Sequence, residues 1–136
     1  MAKVTKNTNT KKTTKTSTKK KNVSSGVLYI NSTYNNTLVS VTDDKGKVIA
    51  WSSSGALGFK GAKKGTPFAA AKVGEVLAEK MEGFGLREVS VVVSGVGAGR
   101  ESAIRGFISK GINLKEIKDV TPVPHNGPKP KKPRRV

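Results

Sequence analysis

The chain has 136 residues, of which 26 are Lys or Arg and nine are Asp or Glu, and its formal net charge is +17. This length suits one domain with one hydrophobic core. Because the chain has no cysteine, a disulfide framework and a thiolate metal site are excluded, and the basic excess indicates a polyanionic partner.

The basic excess is concentrated at the two ends of the chain. Residues 1–22 contain eight lysines and no acid, and residues 121–136 contain five basic residues and no acid. The other 13 basic residues share residues 23–120 with all nine acids, which leaves this middle part with only +4. We therefore predict a basic disordered N-terminal tail over 1–22, a folded domain over 23–120 and an extended basic C-terminal arm over 121–136.

Nucleic acid is the polyanion that this charge pattern favours, because each neutralised phosphate releases condensed counterions. A membrane surface is disfavoured, since Thr5 to Asn22 offers no apolar side chain for insertion. The first residues lack the apolar stretch of a secretory signal, and their Thr/Lys bias without arginine resembles a transit peptide only faintly. A cytosolic protein is compatible with these features.

The domain begins with a pattern of short strands. Apolar alternation predicts strands over Val27–Ile30, Thr37–Thr42 and Lys47–Trp51. The turns between them, Tyr34–Asn36 and Asp43–Gly46, are so short that the three strands must form an antiparallel meander. We expect Trp51, at the end of the third strand, to lie in the core.

A loop and a helix follow the meander. Ser52–Gly55 breaks the strand pattern, and Gly58–Gly65 is a loop of glycine and lysine. Thr66 and Pro67 are typical of a helix start, as N-cap and first helical residue. The apolar stripe of this helix comprises Ala70, Val73, Leu77, Met81 and Phe84. Its opposite face carries Glu75, Glu79 and Glu82, which should face solvent or a basic protein rather than RNA.

A strand, a glycine loop and a second helix come next. The β-branched run Val89–Val93 predicts a strand covered on both faces. Gly95, Gly97 and Gly99 then leave backbone N–H groups open at the start of a helix, which is a favourable arrangement for an anion. Arg100 stands where a dinucleotide-binding fingerprint would need glycine, so we expect a phosphate backbone rather than a free nucleotide. The alternative is that the glycines only permit a tight connection.

A last strand over Ile112–Val120 completes the domain, and the prolines beyond Thr121 end the sheet. The element order βββαβαβ predicts an α/β fold with a mixed five-stranded sheet. Its first three strands should be antiparallel, and its last two parallel to one of those three. Loops at the carboxyl ends of parallel strands gather at one edge of a sheet, so both glycine-containing loops are predicted to form one face.

The acidic residues do not indicate catalysis. A metal nuclease needs several converging carboxylates, whereas Asp43 and Asp44 lie in a turn and the helix glutamates face outward. The single histidine, His125, lies in the proline-rich arm without a second ligand nearby. We predict neither a catalytic nor a metal site, with a metal nuclease and a general DNA-compacting protein as the alternative functions. Among the aromatic residues that could stack on bases, Phe59 is a better candidate than Trp51 or Phe68.

Three long motifs stand out in the sequence: GALGFKGAKKGTPFAAAKV, SGVGAGRESAIRGF and IKDVTPVPHNGPKPKKPRRV. They closely resemble the small-subunit ribosomal protein S-eleven family in its bacterial form. The resemblance extends from about Val23 to Val136, and it implies a ribonuclease-H-like α/β fold without the nuclease carboxylates. Two departures are Pro128, where members commonly have cysteine, and the absence of prolines at Val96 and Ala98.

The resemblance also implies a structural function without catalysis, cofactor or small-molecule substrate. Members lie on the platform of the 30S subunit in the cytoplasm, bridge helices of 16S-type rRNA and line the cleft that holds the Shine-Dalgarno helix with its mRNA. Their protein neighbours include the S-seven and S-eighteen families. RNA contacts are implied in the turn, in both loops and in the arm. The predicted RNA-binding residues are Asn35, Asn36, Ser53, Ser54, Phe59, Lys60, Lys63, Lys64, Gly97, Gly99, Arg100, Arg105, His125, Asn126, Lys129, Lys131, Lys132, Arg134 and Arg135.

Overall fold

The computed structural model of the chain describes residues 22–135, so the predicted N-terminal tail lies outside the described residues except for Asn22. The strands are β1 Ser25–Ser32, β2 Thr37–Thr42, β3 Val48–Ser53, β4 Glu88–Ser94 and β5 Asn113–Asp119. The helices are α1 Pro67–Glu82 and α2 Arg100–Ile108, and a short 3-10 helix covers Gly61–Gly65. The predicted element order βββαβαβ is confirmed.

The five strands form one mixed sheet in the order β3-β2-β1-β4-β5. The first three are antiparallel neighbours, whereas β4 runs parallel to β1, and β5 runs parallel to β4. This is the arrangement that the sequence predicts. Since β1, β4 and β5 are parallel, the segments that follow them, beginning at Thr33, Gly95 and Val120, lie at the same edge of the sheet.

One face of the sheet and both helices share a single hydrophobic core. The strands contribute alternating side chains, including Leu28, Ile30, Val39, Val41, Val89, Val91 and Val93. α1 contributes Val73, Leu77 and Met81, and α2 contributes Ala103, Ile104 and Phe107. The apolar stripe that predicts α1 is therefore the surface that holds this helix on the sheet.

The predicted coverage of β4 on both faces is wrong. Val89, Val91 and Val93 are buried beneath the helices, while Ser90, Val92 and Ser94 are only half-buried on the other face. The continuous valine run reflects the central position of β4 between β1 and β5, where β-branched residues suit the sheet. No helix among residues 22–135 covers the second face.

Trp51 is also placed differently from the prediction. Its side chain is 60% exposed, on the same uncovered face as the partly exposed Tyr29 and Leu38. β3 continues two residues beyond Trp51, to Ser53, where Ser52 and Ser53 are buried. The hydrophobicity of tryptophan suggested the core, but Trp51 pairs with Ser40 and thereby falls on the other side of the pleat from Val39 and Val41.

The start of α1 agrees with the sequence. Thr66 is the N-cap, and its hydroxyl oxygen accepts a hydrogen bond from the backbone N–H of Ala69 at 3.3 Å. Pro67 occupies the first turn, where its missing N–H costs nothing. The helix therefore starts at the end of the loop that carries Lys60, Lys63 and Lys64. Neither α1 nor α2, the α-helices among the described residues, has the length and apolar composition needed to cross a membrane.

Candidate nucleic-acid interface

The turn between β1 and β2 occupies the centre of the candidate interface. The backbone N–H of Thr33 donates to the carbonyl oxygen of Asn36 at 2.8 Å, and the Asn36 N–H donates to the Thr33 hydroxyl at 3.1 Å. The Asn36 side-chain oxygen accepts from the N–H of Thr37 at 2.9 Å. These bonds fix the turn, and they leave Asn35 and the neighbouring Tyr34 exposed.

The glycine–lysine loop, residues 58–65, lies against one side of this turn. A Cβ atom at Gly65 would overlap the carbonyl oxygen of Tyr34, so only glycine permits the two backbones to approach this closely. The 3-10 helix at Gly61–Gly65 carries Lys63 and Lys64 in its last turn. Lys60 and Lys63 are exposed, and Lys64 is half-buried. None of these three lysines takes part in the ion pairs formed among residues 22–135.

The glycine loop, residues 95–99, lies against the other side of the turn. Cβ atoms at Gly95 and Gly97 would overlap the carbonyl oxygens of Ser32 and Thr33, respectively. The N–H of Gly97 donates to the Ser32 carbonyl at 3.0 Å. The turn is therefore held between the two loops. We refer to the turn Thr33–Asn36 and these two loops together as the loop edge.

These contacts correct one interpretation of the glycine loop. The N–H groups of Gly95 and Gly97 do not remain open for a ligand, because Gly95 donates to the hydroxyl of Thr121 at 3.2 Å and Gly97 donates to Ser32. Gly97 and Gly99 are buried, while Val96 and Ala98 form the exposed surface of the loop. The tight-connection alternative therefore accounts for the glycines, and the charge at this position comes from Arg100.

The two predicted arginines of α2 differ in their surroundings. Arg100, the first residue of the helix, forms an ion pair with Asp119 at the end of β5. Arg105 is largely exposed, and its guanidinium lies 3.8 Å from the carboxylate of Glu101. Both arginines line a groove of about 530 Å³ between α2 and β5. The groove brings two cations to the loop edge beside the glycine loop.

Asp119 is the residue of this region that the sequence reasoning missed. Hydrogen bonds from the Thr121 hydroxyl and N–H, followed by the pairing with Arg100, lower the pKa of Asp119 to about 2. The carboxylate is therefore ionised at neutral pH and partly neutralises Arg100 in the free protein. A signal was present in the sequence, because Asp119 is an acid placed directly before the basic arm.

Ser53 and Ser54 lie at the loop edge but not on its surface. Both side chains are buried, and the Ser53 hydroxyl oxygen accepts from the N–H of Ala56 at 3.1 Å. The Ser54 N–H donates to the carbonyl oxygen of Thr37 at 3.2 Å, which joins the end of β3 to the start of β2. These serines stabilise the structure beneath the turn Thr33–Asn36 through their hydrogen bonds, and their buried hydroxyl groups are not at the protein surface.

The sequence favours Phe59 over Phe68 as a residue that stacks on bases, but the structure exposes Phe68 more. Phe59 is half-buried and meets Phe68 edge to face, with ring centroids 6.2 Å apart and planes inclined at 84°. Phe68 is 64% exposed, and the ammonium nitrogen of Lys72 lies 5.5 Å from its ring centroid. Phe68 therefore offers the exposed aromatic surface. The sequence signal was its position off the apolar stripe of α1.

The C-terminal arm starts at the loop edge. Residues 121–135 contain no helix or strand, and nearly all of them are exposed. Asn126 has a positive φ of 54°, a left-handed conformation that Asn tolerates better than most residues. The exposed residues include His125 and the predicted basic contacts Lys129, Lys131, Lys132, Arg134 and Arg135. The structure connects the start of the arm to the glycine loop through Thr121.

The acidic turn has a structural explanation. One carboxylate oxygen of Asp43 accepts from the N–H groups of Lys45 and Lys47, at 3.0 and 2.9 Å. Asp44 accepts a hydrogen bond from the hydroxyl of Ser25 at 2.7 Å. Across residues 22–135 there is no group of three or more acidic, histidine or cysteine residues placed to hold a metal ion. These carboxylates shape the turn at the end of the sheet opposite the loop edge.

Comparison with known proteins gives two matches. The family model described as ribosomal protein S11 matches residues 26–135. A curated relative, the small ribosomal subunit protein uS11 of Rippkaea orientalis (strain PCC 8801 / RF-1), is 52% identical over 136 residues, and the match covers 100% of both chains. The family model covers β1 from Gly26 onward, the other four strands, both helices and the arm as far as Arg135.

Proposed function

Since the chain belongs to the S11 family of small-subunit ribosomal proteins, which are structural components and not enzymes, we propose that it binds folded rRNA of that subunit through the loop edge and the C-terminal arm. The observation that carries this proposal is the convergence of the turn Thr33–Asn36 with both loops. The convergence brings the lysines of the glycine–lysine loop to the same edge of the sheet as Arg100, which directly follows the glycine loop.

The chemistry of the loop edge suits RNA phosphates. Lys60 and Lys63 are exposed point charges without a protein partner among residues 22–135, and each can replace condensed counterions on RNA. Arg105 on α2 is also largely exposed, in the groove beside the glycine loop, and it presents a planar fork suited to phosphate oxygens. Lysine and arginine contacts to phosphates carry no sequence information, so we expect specificity to come from the shape of the folded RNA.

The arm extends this surface beyond the domain. Its five basic residues lie among prolines, which disfavour regular structure and keep the segment extended. We propose that the arm enters crevices between rRNA helices, so that one protein bridges RNA segments that are distant in sequence. The resemblance of its long motifs to the S-eleven family supports finer proposals. These are a cytoplasmic location on the subunit platform, contact with mRNA in the Shine-Dalgarno cleft and contact with the S-seven and S-eighteen proteins.

Binding to purified small-subunit rRNA tests this proposal. The full chain should bind the folded rRNA much more tightly than duplex DNA of equal length, and it should remain with small subunits during sedimentation at high salt. Equal affinity for both nucleic acids would contradict the proposal and favour a general DNA-compacting protein. Cleavage of the RNA in the presence of Mg²⁺, lost on substitution of Asp43 or Asp44, would instead indicate a nuclease.

A further inference from the structure

An acidic residue at the end of β5 lies beside the loop edge and connects three neighbouring segments of the chain. One carboxylate oxygen of Asp119 pairs with the guanidinium of Arg100. The other accepts from the Thr121 hydroxyl at 2.6 Å and from the Thr121 N–H at 2.9 Å. The Thr121 hydroxyl oxygen in turn accepts from the Gly95 N–H at 3.2 Å. Helix α2, the glycine loop and the start of the arm are thus joined by one hydrogen-bonded chain.

We propose that Asp119 and Thr121 are positioning residues for rRNA binding, with Asp119 holding the Arg100 guanidinium in place and Thr121 fixing the direction in which the arm leaves the domain. This inference rests on the proposed function. It assigns a task to two residues that carry no positive charge and that need no direct contact with RNA.

The geometry explains how a carboxylate aids the binding of an anion. Both oxygens of Asp119 have protein partners, so its charge is largely satisfied before RNA arrives. A guanidinium has five N–H donors, and the pairing with Asp119 leaves several of them for a phosphate. The Arg100 side chain is 33% exposed, lines the groove beside α2 and is held by its pairing with Asp119. Ordering a long side chain before binding removes part of the entropic cost of association.

Charge and positioning predict effects of opposite sign. If Asp119 acted only through its negative charge, its removal would strengthen RNA binding, because a like charge near the phosphates would be lost. If it positions Arg100, its removal weakens binding. Asp119→Asn separates the two, because the amide keeps one oxygen for Thr121 and replaces the oxygen that pairs with Arg100 by a donor.

We expect Asp119→Asn in the full chain to weaken binding to small-subunit rRNA about three- to tenfold, the range that corresponds to ordering one long side chain. The matched control is Glu116→Gln, which removes the same charge from the same exposed strand and takes no part in the ion pairs among residues 22–135. The control should leave the affinity unchanged or slightly raised. In an Arg100→Ala background, Asp119→Asn should have no further effect. An equal gain in affinity for both single variants would overturn the inference.

Thr121 gives a second test that does not depend on Arg100. Thr121→Val keeps the shape of the side chain and removes the hydroxyl that bridges Asp119 and Gly95, whereas Thr121→Ser retains that hydroxyl. We expect the valine variant to weaken rRNA binding about threefold and the serine variant to bind like the wild type. The effect of valine should vanish when residues 129–136 are removed. An undiminished effect in the shortened chain would contradict a role in directing the arm.

The two levels of the proposal fail in different ways. If the wild-type chain does not prefer rRNA over duplex DNA, the proposed function is wrong. If the wild type shows that preference and both Asp119→Asn and Thr121→Val bind as tightly, only the positioning inference is wrong. Thermal unfolding of each variant, followed by circular dichroism, identifies any loss of binding that comes from unfolding.

Discussion

The glycine–lysine loop and the glycine loop are both rich in glycine, but their glycines have different functions. Each loop precedes a helix and lies against the turn Thr33–Asn36. In the glycine loop, Cβ atoms at Gly95 and Gly97 would overlap backbone oxygens of the protein itself. In the glycine–lysine loop, Cβ atoms at Gly58 and Gly61 would meet nothing within 4 Å, and only Gly65 makes a close approach.

Glycine-rich loops can therefore have two different structural roles. The glycine loop packs the start of α2 against the end of β1. The positive charge near this loop comes from Arg100, the first residue of α2. The glycine–lysine loop instead brings lysines to the surface, with Lys60 directly before the short 3-10 helix and Lys63 and Lys64 within it. A loop composition rich in glycine does not distinguish them. The two roles are distinguished by whether a Cβ atom added at each glycine would meet other atoms or open space.

The largest expected effect of this difference is on folding. Gly95→Ala should lower the free energy of unfolding by about 3 kcal/mol, because it combines a positive φ of 98° with overlap of the Ser32 carbonyl. The matched control is Gly61→Ala, which has a positive φ of 61° and open space around it. It should lower the free energy by about 1 kcal/mol. Urea unfolding measures both, and equal losses would contradict the contrast between the loops.

The next effect is on RNA affinity. The triple variant K60A/K63A/K64A should weaken rRNA binding on the order of 100-fold at 0.1 M salt and lower the log–log salt slope by about 2 to 3, since up to three phosphate contacts are lost. K45A/K47A/K80A removes the same charge at the end of the domain opposite the loop edge, and it should change the slope little. Filter binding across a salt series measures the slopes. Similar slopes for the two triple variants would show that total charge, and not the loop edge, determines binding.

A smaller effect is expected from the exposed aromatic ring of Phe68, in the first turn of α1. Phe68→Ala should weaken rRNA binding by about 1 to 2 kcal/mol if an unpaired base stacks on the exposed ring, and it should leave the salt slope unchanged. Trp51→Ala is the control, because Trp51 is comparably exposed but lies on the uncovered face of the sheet. A greater loss from Trp51 than from Phe68 would move the base-stacking surface to that face.

The smallest effect concerns the stability of the fold at low pH, to which Asp119 contributes through its contacts near the glycine loop. The pKa of Asp119 is lowered from 3.8 to about 2 in the folded protein by the hydrogen bonds from Thr121 and the pairing with Arg100, and these contacts therefore stabilise the fold fully above about pH 4. This contribution is lost as the pH falls from about 4 toward 2, because the carboxyl group then takes up a proton. The unfolding free energy of wild type should therefore fall more steeply in this range than that of Asp119→Asn. Parallel pH profiles would contradict the lowered pKa.

Local signals in the sequence were sufficient for much of the fold. Apolar alternation placed β2 at its observed bounds, and the Thr66–Pro67 pair located the start of α1. The valine run of β4 predicted its central position but not its uncovered face, because that face depends on whether a second layer of helices packs on the sheet, and residues 22–135 supply none. Trp51 was misplaced because side-chain hydrophobicity does not reveal which side of the pleat a residue occupies.

The candidate site was predictable in composition but not in contacts. Lysine clustering indicated the glycine–lysine loop, and the topology correctly placed both loops at one edge. The pairing of Arg100 with Asp119 joins residues 19 positions apart and depends on the register of β5 beside β4. The close approach of the glycine loop to the backbone of Ser32 and Thr33 likewise depends on the parallel pairing of β4 with β1. Such contacts follow from tertiary geometry, which no local pattern encodes.

Site-specific photocrosslinking is the most direct test of the claim that the loop edge binds rRNA. Asn35, at the centre of the loop edge, is replaced by a photoreactive amino acid in one variant, and Lys45, in the turn at the opposite end of the sheet, is replaced in a second. After assembly into small subunits and irradiation, Asn35 should crosslink to rRNA much more strongly than Lys45. Strong crosslinks from Lys45 with none from Asn35 would contradict the account.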